Sequence, residues 1–265
     1  MITSTTNARV QWIRSLQRKR RARQAEGLFV IEGTRLGEEA LRAGVIPRLV
    51  AHVPQLDERT STLVHTFARR GASILPVSER VMEACASTEA PQGFVAVVPI
   101  LPPRALPRLT LAVVADGIAD PGNLGTLLRT AWAAGVEAVF LSPGTVDAYN
   151  PKVVRSAMGA HFALPLVSED NEAILAHLAG LPMWLAQPRG GLAYDRLDAR
   201  QALAFVIGQE AHGPGDFWRK RAAGAVSVPM EGKVESLNAA IAGAIILFEV
   251  RRQRAVASMH DPRQG

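Results

Sequence analysis

Five short runs of small and branched apolar residues in the second half of the chain constrain its fold more than any other feature. They lie at 111–116, 138–142, 183–186, 204–208 and 225–229. A strand with one face in water alternates apolar and polar residues, and these runs show no strict alternation. Between and after them, the spacing predicts helices over 123–134, 151–158, 171–179, 215–221 and 236–253. The pattern therefore predicts an α/β domain built on a mostly parallel sheet.

A proline-rich segment at residues 100–109 divides the chain, because proline stiffens the backbone and removes its amide donors. We predict a first domain at 1–99, a linker at 100–109 and a second domain at 110–265. Within the first domain the pattern predicts strands at 28–32, 48–53, 73–77 and 93–100, with helices at 34–43, 57–70 and 78–87. The first domain is thus a smaller α/β unit.

Positive charge is concentrated near the start of the chain. The net charge is +6 and the pI is about 10.2, a balance that favours a polyanionic partner. A helix is predicted over 7–23, with Ile13 and Leu16 on its apolar side. The other side carries candidate RNA-binding residues, namely Arg14, Arg18 and Arg21. A basic helix face that only contacts solvent is the alternative interpretation.

Several classes of function lack support in the sequence. The single cysteine excludes an internal disulfide framework, and the six histidines show no metal-ligand spacing. There is no phosphate-binding G-x-x-x-x-G-K-[ST] motif, no G-x-G-x-x-G after a strand and no G-x-S-x-G turn. No apolar stretch is long enough for a membrane helix, and residues 1–17 lack the apolar core of a signal peptide. We expect a cytoplasmic protein that uses neither a metal nor a membrane.

Three segments carry candidate chemistry. The first, residues 116–135, runs from a strand through a loop rich in Gly, Pro and Asp into a helix. In it, Asn123 is either a site residue or the helix N-cap, and Arg129 is either a site residue or half of a surface salt bridge. The guanidinium of Arg129 lies one helical turn from Gly125, where a ligand could approach closely.

The second and third segments also follow predicted strands, where ligands bind in open α/β sheets. In FVIGQEAHGPGDF, residues 205–217, Gly208 would let backbone and ligand approach each other, and Glu210 could bind a ligand or favour the next helix. In VSVPMEGKVESLNAAIAGAI, residues 226–245, Ser236 and Asn238 either open the last helix as ordinary capping residues or present polar groups to a ligand.

Together the three segments closely resemble the signature motifs of the SpoU, or TrmH-like, RNA 2′-O-ribose methyltransferases of the SPOUT class. DPGNLGTLLRTA is similar to the family's first motif, IGQEAHG to its second and PMEGKVESLNAAIAGAI to its third, in the family's order. TSTTNARVQWIRSL and GLFVIEGTRLGEEAL more loosely resemble the family's N-terminal substrate-binding domain, which is related to a ribosomal-protein-like RNA-binding fold.

The resemblance implies a deep trefoil knot in the C-terminal domain, a homodimer with its active site at the subunit interface, and S-adenosyl-L-methionine as cofactor. By motif position, Arg129 corresponds to the family's catalytic arginine, acting either as a base or as a charged group that stabilises the reacting oxygen. The other polar site positions are Asn123, Glu210, Ser236 and Asn238. Cofactor contacts are expected from Ser142, Gly208, Val228 and Leu237.

The resemblance thus implies methylation of a ribose 2′-hydroxyl in RNA, with large-subunit (23S) ribosomal RNA as the expected substrate. Two alternatives stay open. The same reaction could act on transfer RNA, since enzymes of this class modify both. The chain could also be a non-catalytic RNA-binding module, although it retains the polar residues of all three motifs.

Overall fold

A computed structural model describes residues 1–102, 106, 108–209, 212–232 and 234–259, with side chains as far as residue 257. The first hundred residues form five helices and four strands. In chain order they are α1 (Ala8–Arg18), α2 (Arg20–Glu26), β1 (Leu28–Glu32), α3 (Thr34–Arg42), β2 (Leu49–His52), α4 (Glu58–Arg69), β3 (Ser73–Pro76), α5 (Glu79–Cys85) and β4 (Phe94–Pro99).

The rest of the chain alternates strands and helices, as its apolar runs predict. The elements are β5 (Leu111–Ala115), α6 (Pro121–Ala134), β6 (Ala138–Leu141), α7 (Pro151–Ala157), α8 (Ala160–Ala163), β7 (Leu166–Ser168), α9 (Asn171–His177), β8 (Met183–Ala186), β9 (Leu192–Ala193), a 3-10 turn (Tyr194–Arg196), β10 (Leu203–Ile207), α10 (Asp216–Arg219), β11 (Gly224–Ser227) and α11 (Ala239–Met259).

These elements fall into two compact units, and the division is not the predicted one at residues 100–109. One unit comprises residues 1–102 and 147–163, and the other comprises 103–146 and 164–265. Residues 147–163, expected in the second domain, pack in the first unit because they complete its core. The ring of Phe29 on β1 lies 5.0 Å from that of Tyr149 and 5.9 Å from that of Phe162. Residues 103–105 and 107 of the predicted linker lie outside the described part of the chain.

The first unit is organised around a four-stranded mixed sheet in the order β1-β4-β2-β3. Both β1 and β2 run antiparallel to β4, and β3 runs parallel to β2. Alternate residues of β1 face two separate cores, because successive side chains of a strand point to opposite faces. Val30 packs with α1 and α5, whereas Ile31 packs with α3 and α4.

The second unit contains a seven-stranded sheet in the order β7-β6-β5-β10-β8-β11-β9, and every neighbouring pair is parallel. All residues of β5, β6 and β10 are buried, which is why these strands read as unbroken apolar runs. The predicted mostly parallel α/β sheet is therefore confirmed. The strands β7 and β9 were not predicted, because their three and two residues are too few to show a period.

The predicted single helix over 7–23 is wrong. Lys19 is extended, with φ −115° and ψ 113°, and separates α1 from α2. In a continuous helix the carbonyls of Leu16 and Gln17 would accept bonds from the amides four residues later. Instead, the Arg23 Nη1 atom donates to both carbonyls, at 2.6 and 3.1 Å. A buried side chain thus takes the place of the helical backbone amides.

The same guanidinium forms a buried ion pair. Arg23 Nε and Nη2 donate to Asp147 Oδ2 at 3.0 and 2.5 Å, and the two side chains are 5% and 15% exposed. Removing one partner of such a pair leaves an uncompensated charge in a poorly solvated place. The pair also joins residues 147–163 to the helices at the start of the chain.

Among the described residues, no helix combines the length and apolar character needed to cross a membrane.

The ion pair yields a stability prediction. Arg23→Ala should lower the free energy of unfolding by about 3 kcal/mol, because it strands the Asp147 carboxylate and the two α1 carbonyls. Urea denaturation followed by circular dichroism measures the change. Arg20→Ala, at an exposed position of α2, is the matched control and should shift stability by less than about 0.5 kcal/mol. Equal stability of both variants would show that the buried pair contributes nothing.

Candidate active site

A narrow cavity in the second unit opens where three neighbouring parallel strands end. Ligands bind at such carboxyl ends because the loops that follow the strands present backbone polar groups together. Each strand contributes the residues directly after it. Gln187 and Pro188 follow β8, Gly208 and Gln209 follow β10, and Val228 follows β11.

Another wall of the cavity comes from the start of α11 and from Leu237, the residue before the Asn238 cap. Its lining side chains are aliphatic, namely Leu237, Ala239, Ala242 and Ile246. Three of the four predicted cofactor contacts, Gly208, Val228 and Leu237, therefore line one cavity. Aliphatic walls with backbone donors and acceptors at one edge suit a flat, partly apolar ligand with a polar rim.

Gly208 stands where two backbone segments almost touch. A Cβ atom added to Gly208 would lie 2.1 Å from the carbonyl carbon of Gly213 and 2.2 Å from the nitrogen of Pro214. The Gly213 N–H also donates to the carbonyl of Gln209 at 2.8 Å, which closes the loop on itself. The sequence suggested ligand approach as the reason for this glycine, but in the structure its immediate neighbour is this loop.

Ser142, the fourth predicted cofactor contact, is not part of the cavity lining. Its buried hydroxyl donates to Asp116 Oδ1 at 2.6 Å and accepts the N–H of Gly117 at 3.2 Å. Asp116 was not singled out from the sequence. The sequence signal that could have identified it is its position directly after β5, at the sheet edge where the strands end.

Asp116 connects three segments of the second unit. Besides the Ser142 hydroxyl, its carboxylate accepts the N–H of Gly215 at 2.7 Å and the indole N–H of Trp218 at 3.1 Å. Trp218 is almost fully buried, and Gly213, two residues before Gly215, lines the cavity. One carboxylate thus fixes the ends of β5 and β6 to the loop that closes over the end of β10.

Two of the predicted polar site residues meet directly. The Asn238 amide donates to Asn123 Oδ1 at 2.8 Å, which joins the start of α11 to the first turn of α6. Asn238 is also a helix cap, because its Oδ1 accepts the N–H groups of Ala240 and Ile241. Asn123 is not the N-cap of α6: the Asp120 carboxylate caps that helix by accepting the Asn123 N–H at 2.8 Å.

The other predicted catalytic residues are not gathered at the cavity. Arg129 is exposed on α6, does not line the cavity and forms no ion pair with a described residue. The alternative of a surface salt bridge therefore finds no partner in the described ranges. Ser236 is exposed ahead of α11, and Glu210 lies outside the described residues.

Within the described ranges, no three His, Cys, Asp or Glu side chains are grouped so that they could hold a metal ion. The residues at and near the cavity offer backbone polar groups, aliphatic side chains and the amides of Asn123 and Asn238. A parallel sheet that forms a cavity from its strand ends defines an α/β protein of the cofactor-binding kind.

Comparison with known families agrees with this class. Residues 110–248 match the model of the SpoU rRNA methylase family, and residues 7–96 match an MRM3-like substrate binding domain. The first match covers more than half of the chain, and the chain belongs to the SpoU rRNA methylase family.

Relatives cover the whole chain and not the catalytic region alone. The 23S rRNA (guanosine(2553)-2′-O)-methyltransferase of Bacillus subtilis is 33% identical over 94% of this chain and 98% of its own length. The AdoMet-bound rRNA methyltransferase of Sinorhizobium meliloti is 30% identical, with a TM-score of 0.82 over 95% of this chain and 97% of that one. The AdoMet complex of the SpoU methyltransferase AviRb from Streptomyces viridochromogenes is 29% identical, with a TM-score of 0.84 over 94% and 98%.

The hydrogen bonds of Asp116 yield a prediction. Asp116→Asn keeps the size of the side chain but replaces one acceptor oxygen by an NH₂ donor. That NH₂ group would face either the Gly215 N–H or the donors of Ser142 and Trp218, so at least one hydrogen bond is lost. Binding of S-adenosylmethionine, measured by calorimetry, should weaken by about tenfold, and the free energy of unfolding should fall by about 1–3 kcal/mol. Asp195→Asn, at an exposed carboxylate of the same unit, should leave both unchanged. Unaltered cofactor affinity in Asp116→Asn would refute this positioning role.

Proposed function

We propose that this protein transfers a methyl group from S-adenosylmethionine to the 2′-hydroxyl of a ribose in large-subunit (23S) ribosomal RNA. The observation that carries the proposal is the strand-end cavity, which contains the motif residues Gly208, Val228 and Leu237. The family match and the similarity to a 23S rRNA methyltransferase over 94% of the chain support the substrate class, and the two AdoMet-bound relatives support the cofactor.

The lining of the cavity fits the proposed cofactor. The aliphatic side chains of Val228, Leu237 and Ile246 would cover a flat adenine ring, and the backbone groups after β8 and β10 would bind its polar edge. S-adenosylmethionine, when bound, supplies a methyl group on a positively charged sulfur.

Arg129 is the proposed catalytic residue. Methyl transfer would form a bond between the ribose oxygen and the methyl carbon, leave the cofactor sulfur as a neutral thioether and release the hydroxyl proton to solvent. A guanidinium hardly loses a proton in a protein, so we propose that Arg129 stays charged, binds an RNA phosphate and stabilises the developing negative charge on oxygen. Its exposure leaves the guanidinium accessible to RNA.

The amide pair is proposed to position the helix that carries Arg129. The bond between Asn238 and Asn123 fixes the first turn of α6 against α11. Because Arg129 lies on the same α6 helix, a shift of that turn would move the guanidinium relative to the cavity. Glu210 and Ser236 are proposed polar contacts for the cofactor or the RNA by motif position alone.

We further propose that the protein acts as a homodimer, in which Arg129 reaches the cavity of the partner. Support comes from apolar side chains left exposed on two helices of the second unit that pack together, Trp132 on α6 (39%) and Ile241 and Phe248 on α11 (52% and 48%). Such apolar exposure is typical of an interface. Light scattering should report a dimer, and Phe248→Glu should dissociate it; a monomeric wild-type protein would end this part of the proposal.

The deep trefoil knot and the ribosomal-protein-like fold of the first unit belong to the same proposal. Their support is the family match over 110–248 and the substrate-binding match over 7–96. An experimental density map traced through residues 203–259 tests the knot. A cytoplasmic location follows from the ribosomal substrate, and cell fractionation tests it.

Methylation of purified RNA tests the function and separates the alternatives. The protein is incubated with tritiated S-adenosylmethionine and unmodified 23S or transfer RNA transcripts, and alkali-resistant 2′-O-methylated nucleotides are mapped. Label at one ribose of 23S RNA supports the proposal. Label on transfer RNA alone moves the activity to that substrate. Cofactor binding without label on naked RNA or ribosomal subunits would favour the non-catalytic module.

Arg129 gives the sharpest catalytic prediction. Arg129→Ala should lower kcat by about 10²–10³-fold, because a charged donor at the reacting oxygen is lost, while the Kd for S-adenosylmethionine stays constant. Arg129→Lys keeps the charge without the planar fork and should restore only a small part of the activity. Single-turnover methylation measures both, with Lys220→Ala at an exposed position as the control. Full activity of Arg129→Lys would argue against a two-pronged contact.

The basic residues near the start of the chain are proposed RNA contacts, although the structure distributes them over two helices. Arg18 and Arg21 are exposed, whereas Arg14 is half-buried and its Nε has no partner among the described residues. Replacing Arg14, Arg18 and Arg21 together by Gln should weaken 23S RNA binding and flatten its salt dependence, with cofactor affinity unchanged. The charge-matched control replaces the exposed Arg69, Arg70 and Arg80. Equal salt slopes for the two triple variants, measured by filter binding, would contradict this assignment.

A further inference from the structure

A second cavity, of about 280 Å³, lies within the first unit and has no role in the site described above. It lies between the end of β1 and the start of α3 on one side, and the segment 88–92 and the end of α7 on the other. Its lining combines charged, amide and apolar side chains, chiefly Glu32, Arg35, Leu36, Gln92, Arg155 and Met158.

A hydrogen-bonded network builds one wall of this cavity. Glu32 Oε2 accepts both the backbone N–H and the hydroxyl of Ser87, each at 3.0 Å, and its other oxygen accepts the hydroxyl of Thr88. Arg155 donates in turn to the Ser87 hydroxyl. The segment after α5 is therefore fastened to the end of β1, and the Glu32 carboxylate is already occupied by donors from within the protein.

Two guanidinium groups give the cavity a net positive charge. Arg35 is exposed and donates no hydrogen bond to a described residue, although Glu38 on the same helix interacts with it electrostatically. Arg155 uses one nitrogen on Ser87, so most of its five N–H donors stay available. The cavity lining contains two arginines and one carboxylate, and that carboxylate is already hydrogen-bonded. The excess of positive N–H donors suits a phosphate group.

The backbone around the cavity is strained in one place and crowded in another. Met158 has φ +50°, and it is the one non-glycine residue with positive φ in the described ranges. Such strain in a side-chain-bearing residue concentrates at functional sites. Across the cavity, the Gln92 amide oxygen lies 2.7 Å from where a Cβ of Gly33 would be, and Gly33 has φ +87°, so a side chain there would be strained and would displace the amide.

We propose that this cavity binds one unpaired nucleotide of the RNA substrate. Arg35 and Arg155 would bind its phosphate, the Gln92 amide would bind an edge of the base, and Leu36 and Met158 would contact the face of the base. Sequence-specific RNA recognition usually uses unpaired bases in this way, since the grooves of an RNA helix display little of their sequence. The inference rests on the proposed function only in taking RNA as the ligand.

The site extends beyond the part of the chain that matches a substrate-binding model. Arg155 and Met158 lie outside residues 7–96, in the segment 147–163 that packs in the first unit. RNA selection by the first unit would thus depend in part on these two residues, which lie between β6 and α8 in the sequence.

Two kinds of variant test the site in the full-length protein. Arg35→Gln combined with Arg155→Gln removes the side chains that would bind the phosphate, and Ala90→Trp fills the cavity while every charge is kept. Arg69→Gln combined with Arg70→Gln is the control with the same loss of charge at exposed positions of the same unit. The probe is an unmodified 23S RNA transcript, with binding measured by filter retention over a range of salt concentrations. Thermal melts confirm that each variant is folded.

The arginine pair variant should bind this RNA about tenfold more weakly than the control pair, and its salt slope should fall by about 0.7 for each RNA phosphate that the protein no longer neutralises. Ala90→Trp should raise KM for RNA with an unchanged salt slope, kcat and cofactor Kd. Binding of both variants at the control level, or failure of the wild-type protein to bind the RNA, would overturn the site. If the wild-type protein and the variants bind the RNA as expected but the wild-type protein transfers no methyl group, the proposed reaction is wrong and the nucleotide site is still supported.

Discussion

The carboxylate of Asp116 is the interaction on which the arrangement of the second unit depends. Parallel strands bring their carboxyl ends to one edge of a sheet, but the sheet does not determine how the loops beyond that edge are placed. Asp116 positions these loops by accepting hydrogen bonds from the Ser142 hydroxyl, the Gly215 N–H and the indole N–H of the buried Trp218. Gly208 allows the loop after β10 to close against the strand end, since no side chain intervenes.

A comparable role in the first unit falls to Arg23. Its guanidinium occupies carbonyls at the end of α1 and a carboxylate from a segment more than a hundred residues later. A buried guanidinium lowers stability unless its N–H groups are hydrogen-bonded. Here those bonds also determine the course of the chain, in addition to forming an ion pair. It ends one helix and holds the segment that begins at Asp147.

The sequence predicted those parts of the fold that depend on periodic burial. The unbroken apolar runs predicted a parallel sheet, and Gly208 marked a strand end that lines the cavity. The last helix was predicted over 236–253 and begins three residues later, at Ala239, after the Asn238 cap. The errors have physical causes. The capping role that was the alternative for Asn123 falls to Asp120, three residues earlier, because proline at the first helical position extends α6 backwards. The break at Lys19 depends on a partner distant in sequence, which no local period reveals.

The interleaving of the two units has a consequence for how such a chain can be divided or recombined. Because residues 147–163 pack in the first unit, the chain leaves that unit after residue 102, returns at 147 and leaves again after 163. A fragment cut at the proline-rich segment would remove Val154 and Phe162 from one core and leave Phe29 without the rings that cover it. An exchange of N-terminal domains between relatives is therefore compatible with this core only if the segment 147–163 is exchanged with them, so we expect that segment to change in step with the first hundred residues.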